Sequence, residues 1–262
     1  MTYIHDLNPV AFQFFFIKVY WYSLAYVFGF LISISYSKYL IKVSNYSIEN
    51  RNIDDFFGWA VIGVIVGGRL GYVFFYNINF FIIHPIEIFK IWKGGMSFHG
   101  GMIGLIFSML FFSKNKKKNF FEISSIIAAC APIGICLGRI ANFINGELVG
   151  KPTNSSWGVI FDPSESILRH PSQLYESFLE GIVLFVIIYI FISQKRFKKY
   201  YACFIFLIFY GLFRFSIEFF REPDEQIGYL IFNLSMGQIL SIPMVILGLV
   251  FLKIVKNEKY NS

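Results

Sequence analysis

The amino-acid sequence predicts an all-α, polytopic membrane protein: a bundle of about seven transmembrane helices with a small extracytoplasmic head, residues 1–262 forming a single transmembrane domain. Three observations predict it. The chain is 56% hydrophobic, with a mean hydropathy of +0.60. Only 15% of its residues are charged, against about 25% in soluble domains, so polar surface is too scarce to cover a soluble globule. The apolar residues also gather into segments of about 20, the length a helix needs to cross a bilayer core.

The segments fall at about 20–41, 56–77, 94–113, 120–140, 174–193, 201–220 and 233–255. Glycines and charges interrupt the third and fourth. Ahead of them, Val10 to Tyr20 is apolar but short, and reads as lying along the interface. No basic region precedes the first apolar run, so the N-terminus does not read as a cleavable signal peptide; the first span is expected to stay as an uncleaved anchor.

Orientation follows from Lys and Arg in the loops. One side collects Lys38, Lys42, Arg51, Lys114, Lys116, Lys117, Lys118, Lys195, Arg196, Lys198, Lys199, Lys253, Lys256 and Lys259. The other has Lys18, Lys90, Lys93, Lys151, Arg169 and Arg221, fourteen against six. The basic side is expected to be cytoplasmic, with the N-terminus outside and the C-terminus inside. Residues 141–173, the longest loop and rich in Pro, Asn and Ser, then form the head outside. The net charge of +7 is explained by these loops and does not point to nucleic acid. Cys130, Cys136 and Cys203 lie in apolar stretches without a CxxC, which argues against a disulfide framework, a metal site or a redox site.

Glycines at four-residue spacing (Gly63, Gly67, Gly71; Gly100, Gly104; Gly134, Gly138) read as helix-packing faces. The pairs Gly94-Gly95 and Gly100-Gly101, flanking His99, read as irregular backbone, which membrane depth tolerates only beside protein or water. Ionisable residues inside spans cost roughly 2.5–3.5 kcal/mol each on insertion scales and are functional candidates by default. Tyr210, Arg214, Glu218 and Arg221 form one stripe of the sixth helix. Its bland reading is an Arg214–Glu218 pair that neutralises itself. Arg139, Asn142, Asn145 and Glu147 cluster where the fourth span meets the head, and an arginine fork there suits a phosphate group. His99 alone reads as a structural histidine, and Arg69 reads equally well as a helix-packing charge.

Together these segments resemble the bacterial prolipoprotein diacylglyceryl transferase family. The matching blocks are WYSLAY (21–26), GGRLGYVFFYN (67–77), GGMSFHGG (94–101), GRIANFINGELVGK (138–151), HPSQLYE (170–176), YGLFRFSIEFFREPD (210–224) and SMGQ (235–238), in order over nearly the whole chain. The resemblance implies a membrane transferase that moves the sn-1,2-diacylglyceryl group of phosphatidylglycerol onto the lipobox cysteine of preprolipoprotein signal peptides, releasing glycerol phosphate. It carries the family's essential Arg onto Arg139, its second Arg onto Arg214, and its His and Tyr onto His99 and Tyr22. Asn142, Glu147, Gly150 and Glu218 match as well. Ala141 and Lys151 depart from the usual Gly and Arg, which bears on head-group contacts only.

On this reading Arg139 binds the phosphate and stabilises the leaving charge, and Arg214, oriented by Glu218, adds a second donor. His99 is the candidate base for the thiol. Asn142, Glu147 and Tyr22 position the glycerol or the peptide; Gly150, Tyr210 and Arg221 complete the substrate-binding set. The nucleophile comes from the substrate, and no cofactor or metal is expected. Membrane lipids are the surroundings and the source of substrate, with acyl chains entering laterally between helices. The main rival is a lipid or solute transporter, which would call for repeats and broken helices at the midplane; none is read in the sequence. A non-catalytic scaffold would not need Arg139 and Arg214 together, and a metal-dependent head-group enzyme would need an Asp-rich ligand set.

Overall fold

The computed structural model describes residues 3–44, 46–194, 200–223 and 228–257. Asp224 and the basic residues Lys195, Arg196, Lys198, Lys199 and Lys259 of the charge count lie outside the described residues.

Each of the seven expected segments is helical over most of its length. The helices are α1 (Trp21–Ser44), α2 (Asn50–Tyr76), the short α3 (Ile78–Ile83), α4 (Phe98–Asn115) and α5 (Phe120–Asn145). A continuous rod follows, made of α6 (Ser172–Glu176), a π-helical stretch (Ser177–Val183) and α7 (Leu184–Ser193); α8 (Tyr201–Ile217) and α9 (Met236–Asn257) complete the set. Among the described residues, α1, α2, α5, the 172–193 rod and residues 236–254 of α9 are long and apolar enough to cross a membrane. α8 is apolar but shorter, and α4, which opens on Phe98-His99-Gly100-Gly101, falls outside that set.

Polarity is distributed as in a protein whose solvent is lipid. Phe28, Leu31, Ile62, Phe107, Phe111 and Ile182 are exposed. Ser37, Ser125, Glu176, Glu180, Glu218 and Gln238 are buried. Apolar side chains facing outward cost nothing in hydrocarbon, whereas charges must find partners inside.

Three boundaries differ from the sequence reading. α4 begins at Phe98, because Gly94 and Gly95 take φ of +81° and +77° and only then does Ser97 cap the helix, accepting from Gly100 N at 3.2 Å. Gly100 and Gly101 are therefore helical, not irregular. α5 runs on to Asn145, so the first five residues assigned to the head belong to a helix. Val10–Phe14 (β2) and Ile17–Tyr20 (β3), read from sequence only as an interfacial stretch, form an antiparallel hairpin turning through Phe15; its Phe, Ile, Val and Tyr side chains favour strand. With β1 (Tyr3–Ile4), β4 (Val159–Ile160) and β5 (Leu168–Arg169), the chain carries five short strands among the described residues, which the all-α reading omitted.

The chain divides into two compact units. In the unit of residues 38–124, α2 lies along α4 on a glycine seam. A Cβ built on Gly63 would meet Gly104 O at 2.6 Å, and one on Gly71 would meet Gly100 Cα at 2.7 Å. Arg69, buried on α2, donates to the carbonyls of Glu87 (2.6 Å), Ile88 (2.9 Å), Gly94 (2.6 Å) and Gly95 (3.0 Å). It clamps the loop that leads into α4 instead of acting as a simple helix-packing charge. In that loop Lys90 and Lys93 stand 2.5 and 2.8 Å from Glu87 and hold its carboxyl down at about 2.

The unit of residues 1–37 and 125–262 holds α8 against α9, with Gly211 facing Val245 and Gly248 facing Ile208. It also holds the head, a small sheet in the order β1-β4-β5. β1 pairs in parallel with β4, so the N-terminal residues share a layer with the loop that follows α5. His5 Nε2 lies 2.7 Å from Phe143 O and fastens that layer to the end of α5.

Candidate active site

The site is built on one carboxylate. Glu176, 0% exposed, ends α6. Its Oε2 lies 2.7 Å from Arg139 Nε of α5, and its Oε1 accepts from Arg214 Nη1 of α8 at 2.6 Å. Arg221 Nη1 reaches the same Oε1 at 3.2 Å. Glu180, also 0% exposed, stands one turn deeper, 3.7 Å from Arg214 Nη1 and 4.0 Å from Arg139 Nη2. The turn between them is π-helical, a widening common at functional sites. Arg214 is also ion-paired to Glu218, whose Oε2 accepts from Ser235 Oγ at 2.7 Å. Three guanidiniums thus meet three carboxylates in the interior of an apolar bundle, and Arg214–Glu218 is one part of a network instead of a self-contained pair.

The two main arginines are used differently. Arg214 divides its terminal nitrogens between Glu176 and Glu218. Arg139 is anchored through Nε, and its terminal nitrogens make no hydrogen bond among the described residues. Its side chain is 19% exposed. A guanidinium ion-paired at its base, whose fork has only a 4.0 Å approach to Glu180 and no hydrogen bond, is suited to bidentate capture of a phosphate.

SMGQ (235–238) supplies the support beneath. Ser235 Oγ accepts from Gln238 N at 3.2 Å, and Gln238 Oε1 accepts from Ser235 N at 3.0 Å, a reciprocal capping box that starts α9. Gly237 leaves room for Glu218: a Cβ there would lie 2.6 Å from its Cδ.

A second polar group lies where α5 meets the head. Asn142 Nδ2 donates to Glu147 Oε1 at 2.7 Å, and Asn145 Nδ2 reaches the same oxygen at 3.3 Å. Gln173 Nε2 donates to Glu147 O at 2.7 Å. The loop closes through Gly146 and Leu148, with φ of +68° and +58°. Gly150 is wedged between two chains. Its N–H donates to His170 O at 3.0 Å and its backbone bridges to Arg221. A Cβ there would collide with His170 O and lie 2.7 Å from Phe220 O. Gly150→Ala is therefore expected to pry apart the bridge between Gly150 and Arg221, costing about 1–3 kcal/mol. Thermal unfolding in detergent measures that cost, and a melting temperature equal to wild type would refute the wedge.

The structure thus joins Arg139, Arg214, Glu218 and Arg221, joins Asn142 with Glu147, and links Gly150 to Arg221. Tyr210 precedes Arg214 by one turn and stacks on Phe206 at 5.3 Å. Tyr22, half-buried on the first turn of α1, sets its ring against Tyr26 at 5.1 Å; no hydrogen bond joins it to the arginines among the described residues. His99 belongs to the other unit, exposed on the first turn of α4 with its ring edge-on to Phe98. Sequence reasoning passed over Glu176, Glu180 and Gln173. For the two glutamates the signal that could have found them is the one that found Arg214: carboxylates inside an apolar span demand partners. Among the described residues no group of three His, Cys, Asp or Glu side chains is arranged to hold a metal ion.

Fold and site define a class: a multi-pass membrane protein with a buried, anion-competent arginine cluster near one end of its bundle. Comparison with known proteins narrows it. The prolipoprotein diacylglyceryl transferase family model matches residues 9–254. The chain is 52% identical over 245 residues to the phosphatidylglycerol–prolipoprotein diacylglyceryl transferase of Rickettsia felis, covering 93% of this chain and 95% of that protein. The proteins of the same description from Rickettsia akari (51%, 93% and 95%) and Rickettsia bellii (50% over 255 residues, 97% and 96%) are similar to the same degree. The chain belongs to the prolipoprotein diacylglyceryl transferase family.

Proposed function

We propose that this chain transfers the sn-1,2-diacylglyceryl group of phosphatidylglycerol to the lipobox cysteine of preprolipoproteins. Sulfur attacks the glyceryl carbon that bears the phosphate ester. The C–S bond forms, the C–O bond breaks, and glycerol phosphate departs with the electron pair. The observation that supports the site assignment is Arg139, ion-paired to Glu176 through Nε at 2.7 Å, with terminal nitrogens that make no hydrogen bond among the described residues and only a 4.0 Å approach to Glu180. A fixed cationic donor at the departing phosphate stabilises the charge as it grows. Arg214, gripped by Glu176 and Glu218, adds a second fixed charge.

The thiol must lose its proton to become the nucleophile. His99 is the proposed acceptor; its exposed place on the first turn of α4 leaves the imidazole open to a substrate. Asn142, Glu147 and Tyr22 orient the glycerol or the peptide, with Gly150, Tyr210 and Arg221 framing the lipid head group. The proposed setting is a bacterial cytoplasmic membrane, with the N-terminus and the 141–173 head outside and the C-terminus inside, all within one transmembrane domain. The loop charges and the pairing of β1 with β4 support a common side for N-terminus and head.

The test is a transfer assay in vesicles, with phosphatidylglycerol labelled in its head group and a peptide carrying a lipobox cysteine. Glycerol phosphate release that requires the peptide cysteine is the expected result. Folded protein that releases none with several such peptides would overturn the transferase reading.

A further inference from the structure

We propose that Glu176 is a positioning residue for both arginines, setting the guanidinium geometry that the departing phosphate meets. This deepens the transferase reading and rests on it. One carboxylate bridges two helices, with Oε2 on Arg139 of α5 at 2.7 Å and Oε1 on Arg214 of α8 at 2.6 Å. It is 0% exposed, so it acts through the arginines and does not touch substrate.

Three features fix it. It lies on a continuous rod whose next turn is π-helical, and Gly181 of that rod packs on α5, where a Cβ would lie 2.6 Å from Cys136 Cβ. Ser177, the next residue, donates to Cys136 O at 3.2 Å. Arg221 shares Oε1 at 3.2 Å, so Glu176 is held from three sides. A rotation of Glu176 would therefore move both guanidiniums at once.

Its charge has an opposite consequence for binding. A carboxylate beside Arg139 and Arg214 competes with any phosphate for their field, and so weakens ground-state binding. What it gives in return is orientation, expressed when charge develops on the leaving group. Such a residue raises turnover at the expense of affinity. A residue that merely stabilised the fold would show no such division.

The experiment compares wild type with Glu176→Gln and Glu176→Asp, following kcat in the transfer assay and glycerol phosphate binding by calorimetry. Glu176→Gln is expected to lower kcat roughly 100-fold, as misplacement of catalytic groups by about 1 Å does. It is also expected to bind glycerol phosphate about tenfold more tightly, because one opposing charge is gone. Glu176→Asp keeps the charge and shortens the reach, so its kcat should fall while its binding stays at the wild-type value. It supplies the reading if the Gln variant fails to fold. Unchanged kcat in both variants, or kcat and glycerol phosphate affinity falling together, would overturn the assignment. Wild type that binds glycerol phosphate yet transfers nothing would defeat the transferase reading, with the binding comparison still deciding the role of Glu176 as a competing charge.

Discussion

Arg139→Ala is expected to abolish measurable diacylglyceryl transfer, lowering kcat by on the order of 100- to 1000-fold, the usual cost of removing one fixed donor from a developing oxyanion. The loss follows from geometry. Arg139 is the arginine of the cluster whose terminal nitrogens make no hydrogen bond among the described residues, whereas Arg214 is divided between Glu176 and Glu218. Arg139→Lys is expected to recover little, since an ammonium keeps the charge but cannot hold Glu176 through one nitrogen while presenting a planar fork to phosphate. Truncation at Arg139 leaves Glu176 paired with Arg214 and Arg221, so the bundle should still fold. Glycerol phosphate release by wild type and both variants, at matched melting temperature in detergent, reads the effect. Wild-type turnover in Arg139→Ala would remove Arg139 from the phosphate site and move that role to Arg214.

The second large effect is on stability. Gly104→Val should disrupt the α2–α4 pair at a cost of about 3 kcal/mol, the upper end of ordinary overpacking penalties. A Cβ at Gly104 collides with Gly63 O, and lies 2.8 Å from Gly63 C and 3.0 Å from Gly67 Cα. These are backbone atoms, so no rotamer change relieves them and the helices must separate. Gly134→Ala is the matched control. It occupies a similar four-residue glycine repeat, yet its Cβ meets nothing within 4 Å. It should leave stability unchanged or slightly raised, because Ala is the better helix former. Thermal unfolding in detergent separates the two. Equal melting temperatures for Gly104→Val and wild type would refute the seam.

That contrast also shows where sequence reading stops. Spacing of four places glycines on one face of a helix, and for Gly63, Gly67, Gly71, Gly100 and Gly104 the packing reading holds. Gly134 and Gly138 have the same spacing, and Gly134 does lie beside α1, its Cα 3.5 Å from a Cβ built on Gly29, but a Cβ on Gly134 or Gly138 would itself meet nothing within 4 Å. Spacing fixes which side of its own helix a residue takes, not what faces that side. Arg69 makes the same point: its burial cost marked it as needing partners, while the partners proved to be four loop carbonyls.

What the sequence by itself determined is the bilayer as solvent, the seven helical segments, and the ionisable residues that must turn inward. All three follow from local composition, because hydrocarbon penalises every unpaired charge wherever it stands along the chain. The stripe of Arg214, Glu218 and Arg221 and the cluster at Arg139 were legible for that reason. Only the tertiary structure decided that Arg139 and Arg214 share one carboxylate from a third helix, that Ser235 and Gly237 seat Glu218, and that Gly150 wedges Arg221 in place. Pairing between distant helices depends on their rotation and depth, which a π-turn or a capped end shifts by a residue, and no local rule of sequence encodes that shift.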